Sequence, residues 1–266
     1  MKNKKGTLRK MRTSLGEDGV VRYQLSLGGE LFSLNPLVGE TLSFKYTGAI
    51  YCSNCETKTK KSFGGGYCYP CFMSIPQADM CVMKPETCHY EMGTCRDADW
   101  GIANCMVPHT VYLANSSGLK VGITREKNPV TRWMDQGAVQ AIPLGTVPKR
   151  IDSGKVEVAL KQFVSDKTNW RKMLKGEVDN IDLELKRAEL LKHVPKDVMF
   201  DPSNETTTYI EFPVTKYPEK IKSFNLDKNP EVEGVLNGIK GQYLIFDSGV
   251  INIRKYSGYE LTFDNL

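Results

Sequence analysis

Hydrophobic and polar positions alternate over residues 14–50. Val21, Tyr23, Leu25 and Leu27 share one parity, Gly28-Gly29 marks a turn, and Leu31-Phe32 follow. A period of two bounded by turn residues predicts short strands. The pattern breaks over 51–108, which is dense in Gly, Pro and turn formers and too poor in aliphatic residues to build a core unaided. From His109 onward it changes again. Two apolar runs, within "HTVYLANSSGLKVGIT", flank a polar turn and predict strand, turn, strand. A helix is expected from near Thr131, behind Pro129, to Gly137, followed by a loop holding Pro143, Gly145 and Pro148 that runs to Gly154. Val156, Leu160, Phe163 and Val164 then recur at helical spacing and predict a long amphipathic helix. Another helix is expected from Asp182 to His193, where Pro195 stops it. Strands return at Tyr209–Phe212, Gln242–Phe246, Val250–Ile253 and Tyr259–Phe263.

These elements imply an α+β protein in four segments. They are an N-terminal β segment (1–50), a cysteine-rich segment (51–108), an α/β core (109–200) and a C-terminal β segment (201–266). The β-rich start and β-rich end are candidates to pair into one small sheet or barrel.

Charge and chain length narrow the class. The 266 residues carry a formal net charge of +5, compatible with a DNA or RNA partner without requiring one. No apolar stretch approaches the ~18 residues of a membrane span. The basic opening MKNKKGTLRKMR lacks the apolar run of a signal peptide. A cytoplasmic protein with no membrane partner is therefore expected, the basic start forming a solvated or phosphate-contacting arm.

All eight cysteines fall between Cys52 and Cys105. In a reducing compartment such clustering points to metal before disulfides. Cys52-Ser-Asn-Cys55 and Cys68-Tyr-Pro-Cys71 are two CxxC pairs, twelve residues apart. Each presents two thiolates from a tight turn, the usual means of holding tetrahedral Zn²⁺. Phe63 to Tyr67, with three glycines between, supplies the bend that brings the pairs together. Four thiolates leave no open position, so a structural zinc is expected. Cys81, Cys88, Cys95 and Cys105 form a second candidate set, preferred over the nearby His89, with small buried hydrophobes as the alternative. His109 could face the neighbouring hairpin. His193 reads as a surface residue at a helix end.

Phosphodiester hydrolysis needs a base or metal to activate water, a cation for the phosphoryl oxygens and a carboxylate for the metal. The central segment offers Tyr112 on its first strand, Lys120 opening the second, Gly122 for close backbone approach to a ligand, Arg125 and Arg132 for phosphate, and Glu157 in the first turn of the long helix. Taken singly, Tyr112 reads as a strand aromatic, Arg132 as a surface residue and Glu157 as a carboxylate at a helix N-terminus. Asp135 and Gln136 could cap the helix or line the site. Asp166, Thr168 and Asn169 read first as a cap for a helix at Trp170–Leu174.

The strand–turn–strand–helix order resembles the GIY-YIG nuclease superfamily over Thr110 to Trp170, under a quarter of the chain. "VYLA" stands at the first motif, with Tyr112 on its tyrosine, and "KVGIT" at the second. Arg132 stands at the helix arginine and Glu157, in "VEVAL", at the metal-binding glutamate. The resemblance implies a GIY-YIG-like α/β core, a divalent-metal-dependent endonuclease with Mg or Mn at Glu157, and Tyr112, Lys120, Arg132 and Glu157 as catalytic residues. Two departures stand out: Thr110-Val111 replaces the glycine-containing start of the first motif, and Lys120 occupies the position where active members commonly carry a proton-accepting tyrosine. A non-catalytic nucleic-acid-binding module that uses the altered site to hold phosphate is the alternative. Over its full length the chain is still more similar to an uncharacterised bacterial and archaeal family of unknown function. The matching stretches are Lys84-Pro85-Glu86 with Cys88-His89, Lys120 to Arg125, Arg132-Trp133 with Asp135 to Ala138, and Asp166 to Trp170.

Overall fold

The structure, a computed structural model, describes residues 4–125, 129–165 and 167–265. Asp166 and the first three residues of the basic arm lie outside the described residues. The chain opens with β1 (Lys4–Leu15), β2 (Val21–Leu27), β3 (Glu30–Ser33), β4 (Thr41–Tyr51) and β5 (Lys58–Thr59). Three short helices follow, α1 (Tyr69–Ser74), α2 (Met80–Met83) and α3 (Ala98–Asn104). The central stretch runs β6 (His109–Asn115), β7 (Leu119–Arg125), α4 (Pro129–Asp135), β8 (Gln140–Val147), α5 (Arg150–Leu160), α6 (Trp170–Leu174) and α7 (Leu183–Leu190). Two two-residue strands, β9 (Asp201–Pro202) and β10 (Thr208–Tyr209), precede β11 (Glu231–Lys240), β12 (Tyr243–Phe246), β13 (Val250–Asn252) and β14 (Tyr259–Asn265). The mixed α/β chain forms two compact units. One comprises 1–72, 174–176 and 210–266, the other 73–173 and 177–209. The division falls at Phe72/Met73, so the cysteine-rich segment is shared between them.

The first unit is a nine-stranded sheet in the order β13-β12-β11-β4-β14-β1-β2-β3, with β5 paired to β4. The N-terminal strands β1 and β4 both flank the C-terminal β14, and every strand pairing is antiparallel. Its apolar parity is visible in β2, where Val21, Tyr23, Leu25 and Leu27 are buried and Arg22 and Gln24 exposed. Phe44 stacks on Phe263 at 4.8 Å and meets Phe246 edge-on at 6.3 Å, giving the sheet an aromatic centre. The pairing of β1 with β2 slips between Arg9 and Arg12. There the Gln242 side chain replaces the ladder, accepting from Met11 N at 2.9 Å and donating to Met11 O at 3.2 Å. β11 has alternate polar positions and no flanking apolar run, and it is not among the strands expected from the sequence.

The second unit is a five-stranded antiparallel sheet, β10-β8-β6-β7 with β9 on β8, under α5 and α7. Val111, Leu113, Ile142, Leu144, Val156 and Leu160 form the centre of its core. Three expectations are corrected here. Residues 140–147 are not a loop: they are β8, the strand between β6 and the short edge strands. Proline suits a strand only where its missing N–H is not needed. Pro143 pairs with Tyr112 where the register shifts, at a bulge opposite Val111 and Tyr112. Gly145 is required because a Cβ there would lie 2.3 Å from Asp201 O of β9.

The long helix also starts earlier than expected. α5 begins at Arg150, so Gly154 lies inside it and Glu157 sits in its second half, not in its first turn. Phe163 and Val164 fall beyond its end, and Phe163 is exposed and stacked on His193 at 3.9 Å. The predicted strand at Tyr209–Phe212 shrinks to Thr208–Tyr209. No helix among the described residues is long and apolar enough to cross a membrane.

Candidate functional site

Cys52 follows the last residue of β4, and β5 returns alongside β4, so the first CxxC pair sits on a hairpin knuckle. The left-handed backbone at Glu56 (φ 58) closes that knuckle, with Glu56 N donating to Cys52 O at 3.0 Å. Residues 63–67 form the expected sharp bend, and Ser53 N donates to Gly66 O at 2.7 Å. Gly66 has no alternative there, because its backbone is left-handed (φ 100) and a Cβ would lie 2.8 Å from the backbone Ser257 O. Cys68 precedes α1 and Cys71 lies within it.

The ligand sulfurs of Cys52, Cys55, Cys68 and Cys71 all lie within 4.8 Å of one another, and none is in a disulfide. Cys55 and Cys68 stand 3.8 Å apart, which is the edge of a tetrahedron with metal–sulfur bonds of about 2.3 Å. N–H groups point at the sulfurs, among them Asn54 N and Cys68 N on Cys52 at 3.4 and 3.2 Å, and Asn54 Nδ2 on Cys71 at 3.4 Å. Burial pushes the Cys52 thiol up, but the surrounding backbone N–H groups outweigh it and bring it down to about 6. Four sulfurs this close can all ionise only around a cation. The cluster is a candidate metal site whose donor set and spacing suit zinc.

The second constellation belongs to the other unit. Tyr112 lies on β6 with its ring fully buried, edge-on to Trp133 at 5.9 Å. Lys120, near the start of β7, is 3% exposed. Both meet at Gln136, just past the end of α4. Its Oε1 accepts from Lys120 Nζ at 2.5 Å and from Tyr112 Oη at 3.0 Å. Lys120 Nζ also donates to Thr168 Oγ1 at 2.9 Å, and Thr168 is bonded to Ser116 Oγ at 3.0 Å. Burial pushes the Tyr112 phenol up, opposed by the Arg132 guanidinium beside it and by Gln136, while the Glu157 carboxylate pushes it further up. Arg132 from α4 and Glu157 from α5 are thus the charged neighbours of the same phenol. Glu157 is 13% exposed and lies 3.6 Å from Lys161, one turn on.

The structure therefore brings Tyr112, Lys120, Arg132 and Glu157 together from four separate elements. It leaves Arg125 apart, exposed and bonded to Asn104. It also changes the role given to Gly122. A Cβ there would lie 2.6 Å from Tyr112 Oη, so the space beside β7 is filled by the Tyr112 ring and not by a ligand.

Residues 39–261 match the family described as protein of unknown function, DUF2797. The chain belongs to the DUF2797 family. Both cysteine groups and all four convergent residues lie inside the DUF2797 match, while β1 to β3 lie outside it. No curated protein and no solved structure matches the chain.

Within this DUF2797 chain, Gln136 and Thr168 are the polar partners of the cluster. Of the two roles open to Gln136 in the sequence, capping the helix or lining the site, it takes the second as the shared acceptor. Thr168 faces Lys120, and Asn169 caps α6, accepting from Lys172 N at 3.2 Å. The one signal that could have found them is their position: each stands at the mouth of a short helix beside the β6–β7 hairpin.

Proposed function

We propose that the chain is a zinc-stabilised protein acting on nucleic acid, with a GIY-YIG-like centre that hydrolyses phosphodiesters using a divalent metal at Glu157. The observation that carries this reading is the convergence of Tyr112, Lys120, Arg132 and Glu157 around one phenol and one amide. These are the four positions that the motif resemblance singles out, and they arrive from β6, β7, α4 and α5. A mostly buried carboxylate with an edge open to solvent suits Mg²⁺ or Mn²⁺, which take one or two protein carboxylates and keep water and phosphate as other ligands. Such an ion, when bound, supplies a more acidic water and offsets charge on the phosphoryl oxygens.

The remaining roles follow from the contacts. Arg132 is the partly exposed cation suited to a phosphoryl oxygen. The Tyr112 phenol stays protonated near neutral pH and serves as a donor. Lys120 directs its Nζ at Gln136 and Thr168 and so orients the amide. Zinc at the CxxC pairs holds the β4–β5 knuckle and the start of α1 together. Eleven Lys and Arg against five Asp and Glu in residues 1–72, with Lys5, Lys10 and Arg12 exposed on β1, supply the charge for a polyanion.

The test is an endonuclease assay of the full, zinc-loaded chain on single-stranded, duplex and branched DNA and RNA, with Mg²⁺ or Mn²⁺. Cutting that Glu157→Ala abolishes while binding persists supports the reading. The burial of Tyr112 and Lys120 favours a second one, a binding module without chemistry. Salt-sensitive binding with no cutting on any substrate would establish it instead.

A further inference from the structure

Residues 75–105 are held in two short helices and three 3-10 turns with no strand among them. So little regular structure cannot order itself by its own packing. One concavity in this segment is walled by Cys81, Cys88, Cys95 and Cys105 together. Each sulfur arrives from a different piece of backbone. Cys81 sits in α2, Cys88 follows the turn Pro85–Thr87, Cys95 follows the left-handed Gly93, and Cys105 caps the C-terminus of α3. All four are free thiols.

We propose that these four cysteines form a second four-thiolate zinc centre, separate from the CxxC site and independent of the phosphodiester reading. A competing ligand set exists in the same concavity, since Asp79, Cys81 and His89 offer ligand atoms within 4.8 Å of one another, a closeness that the four sulfurs reach only by drawing inward around an ion. Its two non-sulfur members are already engaged. Asp79 caps α2 by accepting from Cys81 N at 3.1 Å and pairs with Arg96 at 2.7 Å. His89 Nδ1 bonds to Thr94 Oγ1 at 2.8 Å, and its Nε2 faces Asp79 at 3.6 Å. They form the surround that orients the ligands. A dianionic four-thiolate centre also needs nearby positive charge, and Arg96 lines the concavity while Arg150 acts on Cys105.

The centre fastens the segment to α5. Arg150 N donates to Cys105 O at 2.8 Å and Arg150 Nη2 to Val82 O at 2.8 Å. Between these anchors, the Pro85–Glu86 backbone lies against Gly154.

The experiment is elemental analysis of the full chain purified without chelator, beside two double variants. About two zinc per chain is expected. Cys88→Ser with Cys105→Ser should lose one of them, and Asp79→Asn with His89→Asn should keep both. One zinc per chain in the wild type overturns the proposal. So does loss of a zinc from the Asp79/His89 variant with retention in the cysteine variant. Should the cysteine variant fail to fold, cobalt titration of the wild type decides. Equal thiolate-to-cobalt charge-transfer absorbance for the first and second equivalents supports two four-thiolate centres, and a distinctly weaker second equivalent overturns the assignment.

Discussion

Gln136 joins two buried donors, Lys120 and Tyr112, through a single carbonyl oxygen. Removing that oxygen leaves a lysine and a phenol short of an acceptor in a dry site, which costs on the order of 2–3 kcal/mol. Gln136→Leu should therefore lower unfolding free energy by about that much in a denaturant titration, whereas Gln136→Glu, which keeps the acceptor, should lose less; a Leu variant as stable as the wild type would show that the bonds are not made. His109 is a second residue with a definite expectation. It is fully buried, with Nδ1 on Val107 O at 2.7 Å. Burial pushes it down to about 4, against the pull of Val107 and helped by Arg150 and Arg125. The unfolded chain takes up the proton near the ordinary 6.5 and the folded chain only near 4. Stability from this ring is thus whole above pH ~6.5 and is lost as pH falls towards ~4, by roughly 3 kcal/mol in all. The stability gap between wild type and His109→Asn should shrink by that amount between pH 7 and pH 4. Parallel curves would exclude His109 as the titrating group.

At the scale of elements, α5 carries the densest set of constraints. A glycine inside an exposed helix is usually improved by alanine, by about 1 kcal/mol. Gly154 reverses the sign. A Cβ there would lie 2.2 Å from Glu86 N and 2.6 Å from Pro85 C, both backbone atoms that cannot swing away. Gly154→Ala should destabilise by about 2–3 kcal/mol, read by thermal or denaturant unfolding, and a neutral or stabilising result would mean that the turn and the helix do not touch. The same glycine explains why the helix start was illegible. In sequence, Gly154 reads as a helix boundary, and only the neighbouring turn shows that it is a packing position. β8 was hidden for a related reason. Pro143 and Gly145 are loop residues by composition, and they fit a strand only through a bulge and a close edge strand that lie elsewhere in the chain. By contrast, β2, β6, β7, α4 and the helix at α7 were legible, because period, hairpin turn and the proline stop are all local.

For the whole molecule, the sequence made the candidate metal-site cysteines and the four convergent residues visible, since each stands in a recognisable spacing or motif. It could not show that Tyr112 and Lys120 are buried, or that an amide sits between them, because burial is set by distant strands and by Trp133. If zinc staples the knuckle, a thiol-blocking mercurial should release it, and amides of residues 52–72 should lose protection in hydrogen exchange well before β1, β4 and β14 do. Unchanged protection after metal release would mean that the knuckle folds without it. On the proposed reading, Glu157 anchors a metal-dependent phosphodiester-cutting centre. The single-turnover cleavage rate of the zinc-loaded full chain, followed as a function of Mn²⁺ for the wild type and Glu157→Gln, tests it most directly. The rate should saturate with Mn²⁺ in the wild type. In Glu157→Gln it should fall by at least ~100-fold at unchanged nucleic-acid affinity. Cutting that persists undiminished in Glu157→Gln would contradict it.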